Sequence, residues 1–90
     1  MNTSLHMRDT ERNLRASLLY GKRAYEVSES AKARVNGDLR TAEVKNNNAL
    51  ESTWELFSIK RTNEERAMLK ALFIDALHYA HQLNRFDWRQ

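Results

Sequence analysis

The chain has 90 residues, with 15 Lys/Arg against 12 Asp/Glu, no cysteine, no proline and two glycines. That length holds one small domain, residues 1–90, and the missing cysteines exclude a disulfide framework, a thiolate nucleophile and thiolate-ligated zinc. The net charge of +3 lies wholly in the first 36 residues, which carry seven Lys/Arg against four Asp/Glu.

From the N-terminus, no apolar run suits a secretory signal, and no later stretch approaches the roughly 18 residues needed to span a bilayer. A cytoplasmic chain without membrane contact is expected. Asp9 or Thr10 can cap a first helix, with Glu11 in its first turn, where a negative charge suits the helix dipole. At helical spacing Met7, Leu14, Leu18, Gly21 and Tyr25 share one side, and Arg8, Arg12, Arg15, Lys22 and Arg23 fall roughly opposite. The pattern predicts an apolar face against the core and a basic face in solvent. Gly21 costs about 1 kcal/mol against alanine in a helix, so its place on the apolar stripe suggests the close approach of a neighbour. Tyr20 lies off that stripe and reads as an exposed aromatic.

Asn36-Gly37 is the clearest punctuation. Gly37 suits the left-handed position that ends a helix, and Asp38 can cap the next one. A type I′ hairpin is the rival. It would pair Val35 with Asp38, Arg34 with Leu39 and Ala33 with Arg40, leaving neither face coherently apolar, so helix–turn–helix is preferred. Residues 26–49 are thin in large apolar side chains, with Val27, Val35, Leu39 and Val44 alone, and form the less stable middle of the chain. Asn46-Asn47-Asn48 either breaks a helix, with Asn48 capping a new one at Ala49, or sits within an unbroken helix from Leu39 to Lys60. Beyond it Leu50, Trp54 and Phe57 are spaced by four and three, which assigns Trp54 to the core, with Leu56 and Ile59 on a second flank.

Residues 62–88, TNEERAMLKALFIDALHYAHQLNRFDW, form the strongest pattern. Thr62 and Glu65 make a capping box. Leu69, Leu72, Ala76, Tyr79, Leu83 and Phe86 alternate by three and four, and Phe73, Leu77 and Ala80 widen the stripe toward the face of a bundled helix. The fold class is therefore all-α: a small antiparallel helical bundle of three to four helices.

Chemistry-bearing constellations are sparse. Asp75, His78 and His81 have helical spacing but point away from the apolar stripe, so no metal is assigned. No glycine-rich phosphate loop or catalytic grouping is present, and neither an enzyme nor a cofactor is expected. The C-terminus places Phe86 and Trp88 beside Arg85 and Arg89, residue types enriched at interface hot spots. Arg85, Phe86, Trp88 and Arg89, with Tyr20, are the candidate partner-binding residues. The leading function is a protein–protein interaction module: an adaptor, inhibitor or regulatory subunit, with homodimerisation a further way to bury its apolar faces. The alternative is a nucleic-acid-binding transcriptional regulator contacting the backbone through Arg8, Arg12, Arg15, Lys22 and Arg23. The third reading is a self-assembling structural protein.

Overall fold

A computed structural model describes the backbone of residues 2–59 and 62–89 and the side chains of residues 9–59 and 62–83. Its order is α1 (Asn2–Val35), α2 (Leu39–Ser58) and α3 (Asn63–Arg89). No strand occurs among the described residues, and none of their helices is long and apolar enough to cross a membrane.

The helix ends follow local chemistry. Gly37 takes a φ of 82°, its amide donates to the Arg34 carbonyl at 3.0 Å, and the Asp38 amide donates to the Ala33 carbonyl at 2.8 Å. These two bonds close a Schellman turn, for which glycine in the left-handed region is the natural residue. Asp38 then caps α2 by accepting the Thr41 amide at 3.0 Å. The helix–turn–helix reading of Asn36-Gly37 holds, and the hairpin does not form. At α3 the Thr62 hydroxyl accepts the Glu65 amide at 3.3 Å, the cap expected there.

α2 runs unbroken through the three asparagines, so no new helix starts at Ala49. Tertiary bonds occupy two of their side chains: Asn46 Nδ2 donates to the Ala76 carbonyl at 3.0 Å, and Asn48 Nδ2 donates to Glu26 at 3.1 Å. With these amides held by neighbouring helices, they do not compete for the local backbone.

α2 is the central helix, and α1 and α3 pack antiparallel to it on either side. Two small apolar clusters hold the layer. Ala16, Leu19, Leu56 and Leu69 form one, with Tyr20, Phe57, Ile59 and Leu72 against it. Ala33, Ala42 and Leu83 form the other, with Leu39 and Tyr79. Between them lies a polar waist. Buried Glu26 meets Asn48 and the Lys45 ammonium, the latter at 3.9 Å, and Ser30 donates to the Ala42 carbonyl at 2.6 Å. A buried carboxylate is tolerable only with such partners.

The faces used by α1 and α2 differ from those their large apolar residues predict. α1 turns inward Ala16, Leu19, Arg23, Glu26, Ser30 and Ala33, while Leu14, Leu18 and Tyr25 stand 61%, 67% and 58% exposed. α2 turns inward Ala42, Asn46, Ala49, Thr53 and Leu56, and Trp54 is 61% exposed rather than a core residue. Both inner rows alternate by three and four residues, but apart from Leu19 and Leu56 they are made of small and polar side chains. Such residues let helix backbones approach closely while their polar atoms bond across the interface. On α3 the central stripe is the inner face: Leu69, Ala76 and Leu83 are buried and Leu72 and Tyr79 half-buried, with Phe86 outside the described side chains; of the residues expected to widen it, Phe73 and Ala80 are half-buried and Leu77 is exposed.

Candidate partner-binding surface

The outward turn of α2 places Leu50, Trp54 and Phe57 beside Phe73 of α3. The Trp54 ring stacks on Phe57 with centroids 6.3 Å apart and planes 13° apart. It meets Phe73 at 5.9 Å with a 46° tilt. Both geometries are favourable for aromatic pairs, which gain roughly 0.5–1.5 kcal/mol beyond area burial. Arg66 lies over the other half of this platform, its guanidinium 4.2 Å from the Phe57 centroid and its Nη1 donating to the Phe57 carbonyl at 3.1 Å. Glu55 is held by Arg15 at 2.9 Å. Leu50, Glu51, Trp54, Glu55 and Phe73 line an open depression of about 410 Å³. The result is a large, amphipathic side chain braced by two rings and presented to solvent.

A second concavity, of about 360 Å³, runs between α1 and α3 over α2 and is lined by Val27, Ala31, Val35, Leu72 and Tyr79 among others. Arg34 sits over the Tyr79 ring at 5.4 Å, and the Tyr79 hydroxyl is buried without a hydrogen-bond partner.

The described residues among those singled out by sequence have varied surroundings. Tyr20 is not an exposed aromatic: it is half-buried, packs on the first apolar cluster and donates its hydroxyl to Glu65 at 2.9 Å. The side chains of Arg85, Phe86, Trp88 and Arg89 lie outside the described residues, as does that of Arg8. The other four cations point to different surroundings. Arg12 lies 3.6 Å from Asp9, Arg15 pairs with Glu55 of α2, Arg23 turns inward to donate to Thr53 at 3.1 Å, and Lys22 is exposed. Among the described cations of the expected basic face, Arg23 is thus the one turned inward, and Arg12, Arg15 and Lys22 keep contact with solvent. Asp75, His78 and His81 are exposed, and the described residues contain no group of three potential metal ligands.

Sequence reasoning missed Trp54 as a surface residue because the Leu50–Trp54–Phe57 spacing suits a core stripe. The competing signal was the row Ala42, Asn46, Ala49, Thr53 and Leu56, which has the same alternation. No protein-family model matches the chain, and no curated protein or solved structure matches it either.

Proposed function

We propose that this chain is a small protein–protein interaction module, acting as an adaptor, inhibitor or regulatory subunit that docks a partner protein on the Trp54 surface. One observation carries the reading: Trp54 stands 61% exposed on a platform of two aromatic rings. Tryptophan is prominent among interface hot spots, and a side chain already braced before binding loses little conformational freedom on complex formation. Exposed apolar patches of several side chains are costly to a monomer and mark interaction sites. In this reading the protein is cytoplasmic, works without cofactor or catalysis, and has a middle segment, residues 26–49, less stable than its ends.

The test is a tagged pull-down from native lysate, after nuclease treatment, with wild type and Trp54→Ala side by side. A stoichiometric protein should return with wild type, and Trp54→Ala should weaken its affinity by at least about 2 kcal/mol. Trp88→Ala is the companion variant, because the C-terminal aromatics are the other anchor the sequence supports. Full affinity in Trp54→Ala, with its helix content intact, would refute the site. Recovery of nucleic acid alone from untreated lysate would refute the function.

A further inference from the structure

The depression beside Trp54 is acidic. Of the residues that line it, Leu50, Glu51, Trp54, Glu55 and Phe73, two are carboxylates and none is a cation. Around it the chain already engages two guanidiniums of its own. Arg15 reaches from α1 to bond Glu55 at 2.9 Å, and Arg66 lies over the Phe57 ring at 4.2 Å. Glu51 and Trp54 repeat those two kinds of receptor, a carboxylate and a ring, three residues apart on α2. Helical side chains at that spacing are neighbours, with Cβ atoms about 5–6 Å apart. Both residues are exposed. Among the described residues no hydrogen bond or ion pair engages Glu51, and no cation of the chain lies over the Trp54 ring. Lys70, one turn before Phe73 on α3, is exposed and does not line the depression.

That chemistry selects the occupant. A carboxylate beside an exposed indole repels phosphate, so neither a nucleic-acid backbone nor an anionic lipid surface suits it. A cation is attracted twice, by the negative face of the ring and by the carboxylate. Arginine answers both at once, because its planar guanidinium stacks on an aromatic face while its N–H fork donates to a carboxylate. Lysine offers a compact, more strongly hydrated point charge. We propose that the partner protein presents an arginine to this surface, its guanidinium stacked on the Trp54 indole and bonded to Glu51, an assignment that rests on the docking reading above and names the residue that docks. Leu50 and Phe73 then receive the aliphatic stem of the arginine.

Two capped tripeptides serve as probes, Ala-Arg-Ala and its counterpart with citrulline, which has nearly the same shape without the charge. Each is titrated into the isotope-labelled full chain and followed by NMR at the Trp54 indole N–H, a signal identified by its loss in Trp54→Phe. The arginine peptide should shift that signal saturably, and the citrulline peptide should bind at least about threefold more weakly. Glu51→Gln, which keeps the size and removes the charge, should weaken the arginine peptide about twofold or more. Glu43→Gln, about two turns away on α2, should leave it unchanged. Equal binding of the two peptides, no shift from either, or a titration indifferent to Glu51→Gln would overturn the proposal. The same variants in the pull-down separate it from the docking reading. A partner lost with Trp54→Ala but held fully by Glu51→Gln keeps the docking surface and removes the arginine. A partner indifferent to Trp54→Ala removes the docking surface, and this proposal with it.

Discussion

Asp38 shows how one side chain sets a helix start and makes it sensitive to pH. Its carboxyl is held below its ordinary value of 3.8 chiefly by the Thr41 hydroxyl and next by the Thr41 amide, both of which favour the charged form. A carboxyl lowered in the folded state contributes stability that is complete above its unfolded value and lost as pH falls through the folded one. The capping contribution should thus be constant from neutral pH down to about 4 and fade below it. Asp38→Asn, which keeps a capping oxygen, should remove this part of the acid dependence; Asp38→Ala should lower stability at neutral pH, because the cap is lost. Urea melts of the three proteins between pH 2 and 7 would show it. An unchanged acid limb in Asp38→Asn would mean that the cap does not titrate as described. Gly37 is the companion residue at this turn, because its φ of 82° would strain any L side chain.

Among the elements, α3 was legible and the inner faces of α1 and α2 were not. Leu69, Ala76 and Leu83 announce their face because they belong to the longest regular three-and-four row of apolar residues on that helix. The turn at Asn36-Gly37 was equally plain, since a left-handed residue followed by a capping aspartate has one simple reading. α1 carries large apolar residues on the side away from α2 and small or polar ones toward it. Periodicity weighted by hydrophobicity therefore selects Leu14, Leu18 and Tyr25 and passes over Ala16, Glu26, Ser30 and Ala33. The value of Glu26 and Asn46 as core residues depends on Asn48, Lys45 and the Ala76 carbonyl, partners 19 to 30 residues away, and no local pattern states that. Trp54 was misplaced for the same reason, and with it the candidate site. The polar waist also bears on local stability. Hydrogen bonds contribute only about 0.5–1.5 kcal/mol each, less than a well-buried leucine. Native-state hydrogen exchange should therefore find amides of residues 28–45 opening at lower free energy than those around Leu56 and Leu69. Uniform protection along α1 and α2 would contradict this.

As a whole the molecule is an elongated bundle of three helices, 59 × 20 × 14 Å, with two small apolar clusters between them. Several of its large apolar side chains face outward instead, Trp54 beside Phe73 and Leu14 and Leu18 on α1. The proposed interaction with a partner protein uses that outward turn at Trp54. Everything rests on small and polar residues filling the inter-helix seams while Trp54 faces solvent. The most direct test is equilibrium urea unfolding of Leu56→Ala against Trp54→Ala at one protein concentration. Leu56 is 0% exposed, so its truncation should cost about 2–5 kcal/mol. Trp54→Ala, though it removes far more atoms, should cost less, about 1–2 kcal/mol, because it gives up two ring contacts but little buried area. The reverse order, with Trp54→Ala the severe change and Leu56→Ala the mild one, would place the tryptophan in the core and contradict the account.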